Sequence, residues 1–224
     1  MLIHTYEFII PVKEENLTEI TLLHALKPFK IITKDLERLI PGIKVKLIKT
    51  ADSYFISVHL DAIKALHSYK IMPDSLESLL AIHDSICSYF LINNEDSINL
   101  TRIDYRLDVE VGSKENRELI LKLFKKTRSQ HYHLKKERDY STTVSLENKN
   151  MEVKVYDKEQ ERIDKGNPIP EEEEGILRFE VALRNRHLKY NKKKKGMRKD
   201  ISTYHTTELF LAYMMKVKLV YLKS

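Results

Sequence analysis

An α+β fold, with mostly antiparallel sheets and helices packed on one face, is what three observations on this sequence predict. Short segments alternate apolar and polar residues, the period of a half-buried strand. Others place apolar residues three and four apart behind a capping residue, as an amphipathic helix does. Both kinds occur in each half of the chain, without an internal repeat, and a polar, turn-like stretch at 93–97 separates the halves. The expected organisation is two sheet-based lobes, residues 1–96 and 97–224, the second with a basic C-terminal helix region.

Taken in order, residues 4–12 alternate weakly and end after Pro11, giving an opening strand. Residues 33–40 read as a short helix that Thr33 caps and Pro41-Gly42 stops. Residues 43–49 and 54–60 alternate around a four-residue turn, a β-hairpin. Pro73-Asp74 opens a helix to about residue 90, with Asp74 and Glu77 at capping-box spacing. Its stripe is Leu76, Leu79, Leu80, Ile86, Cys87 and Phe90, with His83 on the same side as a satisfied core histidine.

Residues 101–111 form the next strand. Ser113 then caps a helix to about residue 128, with Leu119, Ile120, Leu123 and Phe124 inward. A strand over 141–147, a turn at 147–150, a second strand, a loop over 165–175 and a third strand follow. The last helix, 206–217, turns Leu209, Phe210, Tyr213, Met214 and Val217 to one side.

Composition narrows the classes. The 224 residues are 42% hydrophobic and 32% charged, as in a globular protein with a sizeable core. No apolar run reaches the roughly 18 residues of a membrane span, and the opening residues are too polar for a secretory leader. A single cysteine, Cys87, excludes an internal disulfide framework and a cysteine-based zinc site, so a cytoplasmic setting is expected. Thirty-nine Lys and Arg against thirty-three acids give a net charge of +6, which favours a nucleic-acid partner. The excess is local: residues 189–199 (KYNKKKKGMRK) are densely basic, and the acidic run 171–174 is read as solvated surface.

Three strands each carry one polar face, which they would share as neighbours in one sheet. In 101–111, Arg102, Asp104, Arg106, Asp108 and Glu110 oppose Ile103, Tyr105, Leu107, Val109 and Val111. In 152–162, Lys154 and Tyr156 oppose Val153 and Val155, with Lys158 two residues further on. In 176–183, Arg178 and Glu180 oppose Leu177, Phe179 and Val181. Side chains two apart share a face, so a phenol, carboxylates and cations would meet there. A tyrosine in such company can attack a phosphodiester, provided cations offset the charge that develops on phenol and phosphate. Asp104, Asp108 and Glu180 supply oxygen ligands of the kind that hold Mg²⁺ or Mn²⁺. Asp104 and Asp108 stand about 13 Å apart along an extended strand, so one of them would join Glu180 at the metal, and spacing leaves open which. Cross-strand ion pairing among Arg102, Arg106, Arg178 and the acids is the competing reading.

The order TRIDYRLDVE, VYDKEQER, LRFEVAL resembles rolling-circle replication initiators of the Rep_trans type. It is also similar to gene II/X-type replication proteins of phages and plasmids, and to relaxases of some conjugative elements. The resemblance runs from about residue 97 to 190 and thins towards the N-terminus. It implies metal-dependent nicking and joining of single-stranded or hairpin-extruded origin DNA, through a 5′-phosphotyrosine and a free 3′-hydroxyl. Carried over, Tyr156 is the nucleophile, Lys158 the lysine that follows it, and Asp104, Asp108 and Glu180 the metal carboxylates. A host helicase and a homodimer stay open as partners. Asp157 stands where plasmid members often carry Asn, and the sequence ends sooner after its last helix than plasmid initiators do, which leaves origin specificity open.

Two other readings compete. His131-Tyr132-His133 has the spacing of a two-histidine metal strand, but its flanks are polar and read as helix end and loop. The basic stretch 189–199 with Tyr190 would also suit a non-catalytic DNA-binding replication or copy-control protein.

Overall fold

The structure, a computed structural model, describes residues 3–68, 71–92, 98–131, 139–140 and 142–222. Its strands are β1 (Ile3–Val12), β2 (Ile43–Lys49), β3 (Tyr54–Asp61), β4 (Asn99–Glu110), β5 (Asp139–Tyr140), β6 (Thr143–Glu147), β7 (Met151–Asp157) and β8 (Ile176–Arg184). They form one eight-stranded sheet in the order β2-β3-β1-β4-β8-β7-β6-β5, and every described pairing is antiparallel. Two sheet-based lobes were expected; instead the N-terminal β1 pairs directly with β4, so a single sheet runs through both halves. The boundary at 96/97 lies outside the described residues.

The helices are α1 (Glu14–Leu23), α2 (Phe29–Leu39), α3 (Ala62–Ala65), α4 (Leu76–Tyr89), α5 (Lys114–His131), α6 (Lys158–Asp164), α7 (Asn185–Lys195), α8 (Ile201–Tyr204) and α9 (Thr207–Leu222). Period-two alternation puts Tyr6, Phe8 and Ile10 of β1, Ile56, Val58 and Leu60 of β3, and Ile103 and Tyr105 of β4 on one face. All are fully buried. Ile20, Ile32, Leu36, Leu79, Ile86, Leu188, Phe210 and Tyr213 of the helices join them in one core. These helices therefore cover the apolar face, while α3 and α6 border the polar one. No helix among the described residues is long and apolar enough to cross a membrane.

Several local expectations need correction. α2 begins at Phe29 after Pro28, so Thr33 lies inside it, and its hydroxyl donates to the Lys30 carbonyl rather than capping. Pro73–Ser75 forms a 3₁₀ turn before α4, which has no side-chain cap, and Leu80 is exposed. On α5, Leu119 and Leu123 face solvent while Leu121 and Arg117 are buried, because the buried arginine rather than a leucine starts the inward row. His83 accepts or donates a 2.8 Å hydrogen bond with the buried Tyr6 hydroxyl. Burial holds its pKa down, to about 4, and pushes the Cys87 thiol up to about 11, as befits core groups.

One close approach sets the geometry at the far end of β4. Gly175, just before β8, accepts backbone bonds from Val111 and Gly112. A Cβ on Gly175 would come within 3.2 Å of Gly112 Cα, and its φ is +64°. Only glycine sits there without strain, so β8 enters the sheet with Arg178 and Glu180 in fixed register with β4 and β7.

Candidate active site

Register builds the polar face rung by rung. Arg106 of β4, Glu180 of β8 and Lys154 of β7 form one rung; Asp108, Arg178 and Tyr156 form the next. Directly opposed residues share a face, so these six side chains form one patch. The Tyr156 hydroxyl donates a 2.8 Å hydrogen bond to Glu180 Oε1. Burial first, and then the Glu180 charge, push the phenol well above its ordinary pKa, with Arg178 pulling the other way. Tyr156 is thus a neutral phenol with a carboxylate already on its proton. Sequence reasoning expected cations to do that work by favouring the phenolate.

The cations sit around this pair. Arg178, 3% exposed, grips both Asp108 oxygens at 2.8 and 3.1 Å and also donates to Glu173 at 2.9 Å. Arg106, 6% exposed, binds Asp108 from the other side, the shortest contact being 2.5 Å. Burial alone would raise the Asp108 pKa; the two guanidiniums outweigh it and hold the carboxyl below its usual value. Glu173 also accepts from Arg162 at 2.5 Å and is itself buried. The acidic run was expected to be solvated surface. For Glu173 that is corrected: a 3₁₀ turn over Glu171–Glu173 points it inward, between two arginines.

Lys158 does not continue β7. Asp157 ends the strand, its side chain accepts from the Gln160 amide at 3.0 Å, and Lys158 opens α6. Asp157 is buried against Arg117 at 2.7 Å, and Arg117 also meets Glu159 at 3.0 Å. The residue that departs from the plasmid pattern is therefore a helix cap and an ion-pair partner. Lys158 Nζ binds Glu161 at 2.5 Å and lies 3.9 Å from Glu173.

These groups border a cleft of about 690 Å³. Tyr156, His4, Arg106, Arg178 and Lys158 line it; Lys64 of α3, Arg162 of α6 and Lys165 just beyond α6 add cations. His4 had no signal in the sequence. It is the extra residue of a bulge in β1, between Ile3 opposite Tyr105 and Thr5 opposite Asp104, and such bulges re-aim a side chain. Its Nδ1 lies 3.9 Å from Glu180, and burial, then Arg106, lower its pKa to about 4. Arg106 and Arg178, read from sequence as ion-pair partners, are also cleft residues.

One of Asp104 and Asp108 was expected to join Glu180 at a metal; each of the three carboxylates has other partners here. Asp108 spends both oxygens on Arg106 and Arg178. Asp104 accepts from Arg102 and from the Thr5 hydroxyl, each at 2.8 Å. Glu180 takes the Tyr156 proton donor. No group of three or more His, Cys, Asp or Glu among the described residues is placed to hold an ion. So arranged, these oxygens do not fit a shared Mg²⁺ or Mn²⁺. Of the two-histidine motif, His131 ends α5, while Tyr132 and His133 lie outside the described residues.

Comparison with known proteins gives one family. A family model that describes the N-terminal part of the phage gene II replication-associated protein matches residues 67–208. That span holds all of β4, β7 and β8, with Tyr156, Lys158, Asp104, Asp108 and Glu180. No curated protein matches the chain.

Proposed function

The chain belongs to the gene II N-terminal family of phage rolling-circle replication initiators, and from that premise we propose that it nicks and rejoins one strand of origin DNA with Tyr156 as nucleophile. What carries the reading is the hydrogen bond from Tyr156 to Glu180 on the wall of a cationic cleft.

The chemistry follows from the neighbours. A phenol held above its ordinary pKa attacks poorly unless its proton leaves as the bond forms. Glu180 is within hydrogen-bond reach to take that proton. The Tyr156 oxygen forms a bond to the scissile phosphorus, and the bond from phosphorus to the 3′-oxygen breaks. The 5′-phosphate remains on Tyr156, and the leaving oxygen takes a proton from water to give the 3′-hydroxyl. Rejoining is the reverse attack by that hydroxyl, which gives up its proton to water while Glu180 returns one to the phenol. Arg106, Arg178 and Lys158 offset charge on the phosphate as it becomes five-coordinate. Arg106 and Arg178 are fixed in advance by Asp108 and Glu173, so they need little reorganisation.

The experiment is adduct formation. Single-stranded origin DNA, incubated with the protein in Mg²⁺ or Mn²⁺ buffer, is expected to become covalently attached. Tyr156→Phe abolishes the adduct and keeps DNA binding. An adduct that survives in the Phe variant removes Tyr156 from this role.

A further inference from the structure

Residues 189–195 form the largely exposed C-terminal half of α7. Leu188 and Asn191 hold the helix down: Leu188 packs in the main core, and Asn191 donates to the Tyr204 and Tyr213 hydroxyls at 3.2 and 3.0 Å. Lys189, Lys192, Lys193, Lys194 and Lys195 all point to solvent. Gly196, with φ +67°, ends the helix. Among the described residues none of these five lysines makes an ion pair. Their repulsion is felt locally: burial first, then the charges of Lys189 and Lys192, lower the pKa of Lys199. The helix dipole favours cations at a C-terminus, but only weakly at an exposed site and only within the last turn. Five uncompensated cations exceed what that end of the helix needs.

The position matters as much as the charge. α7 packs on β4 and β8, and its Leu188 joins the core that holds Ile103, Tyr105 and Leu183 on their apolar face. Tyr156 and Glu180 lie on the other face. A strand whose phosphate is at Tyr156 cannot also touch α7 through the sheet, so whatever the lysines hold is a different segment.

We propose that the lysine-rich end of α7 is a second DNA-binding surface, which grips the phosphates of duplex DNA flanking the strand held in the catalytic cleft. This rests on the reading that the chain acts on DNA. Lysine is a flexible point charge, suited to phosphate contact without base readout. The surface therefore supplies affinity that is independent of sequence and steep in salt.

The test uses the whole chain with Lys192, Lys193, Lys194 and Lys195 all changed to Gln, and a matching Lys→Arg variant. Binding to a random-sequence duplex is followed against salt, and adduct formation is followed on a short single-stranded oligonucleotide. The Gln variant is expected to lose at least tenfold in duplex affinity. Its salt slope should fall by about 3.6, the value for four lost phosphate contacts on duplex DNA. The Arg variant restores both, and adduct formation on the short oligonucleotide stays within twofold. An unchanged duplex slope overturns the proposal. So does loss confined to single-stranded DNA, or loss of binding to anionic phospholipid vesicles with duplex binding unmoved. If the unaltered protein forms no adduct, the nicking reading fails, and the duplex measurement still judges the lysines.

Discussion

Two ends of one sheet face carry similar charges and have settled differently. At one end Arg102 binds Asp104 at 2.8 Å, Arg184 binds Glu147 and Glu152 at 2.6 and 3.3 Å, and Lys154 binds Glu152 at 3.1 Å. Here the arginines and lysine are roughly a third exposed and meet acids across the strands. At the other end Arg106 and Arg178 are buried, share Asp108, and still border a cleft that also holds a phenol. Charge alternation is the same in both. What differs is whether the cations have an open space beside them and a phenol lining it. A ladder of charges marks a polar face; a cleft next to buried, pre-oriented guanidiniums marks a candidate site.

The largest effect that would sharpen this contrast is at Tyr156, where the Phe change is expected to reduce adduct formation below detection. Next is Glu180→Gln. The amide accepts the same hydrogen bond but takes no proton, so the rate of adduct formation should fall by about 10² to 10⁴, the range for losing a general base. Binding of single-stranded DNA should hardly change. A Gln variant that works at full rate would leave the two ends without a chemical difference.

Much of this was legible in the sequence, and the limits are physical. Period-two alternation placed Asp104, Arg106 and Asp108 on one face of their strand, and Arg178 and Glu180 on one face of theirs, because strand geometry leaves no other choice. It could not order the strands, so it could not say that Tyr156 meets Glu180 while Asp108 meets two arginines. His4 was invisible because a bulge, not alternation, aims it. Glu173 was misread because a run of four acids says nothing about which one turns inward. The basic run at 189–195 was recognised as charge but not as helix, since four adjacent lysines carry no apolar period; one leucine and one asparagine anchor it.

Glu173→Gln tests whether pre-orientation by buried pairs matters. Glu173 bonds both Arg162 and Arg178, and its folded pKa is held below its ordinary value of 4.5: burial opposes this, and the arginines prevail. A depressed carboxylate stabilises the fold above its unfolded pKa, and that stability is lost as pH falls through the folded value. The Gln variant is expected to unfold more easily at neutral pH, by about 3 kcal/mol, the lower end for breaking a buried ion pair. It should also lose part of the acid-induced drop in stability below pH 4.5. Denaturant melts at pH 7 and at acid pH give both numbers. Equal stability at neutral pH would place Glu173 with the weakly coupled charges of the other end.

The smallest effect is expected at Asp104, and it discriminates most finely. Burial raises its folded pKa against the pull of Arg102 and the Thr5 hydroxyl, so its charge opposes folding slightly at neutral pH. Asp104→Asn should change stability by less than about 1 kcal/mol, as for a partly exposed pair. If the two ends are as different as their geometry, adduct formation by this variant stays within twofold. A loss as deep as that of Glu180→Gln, relieved by raising Mn²⁺, would break the comparison. It would mean that Asp104 exchanges Arg102 for an ion when DNA enters, and that the self-paired end of the face belongs to the site after all.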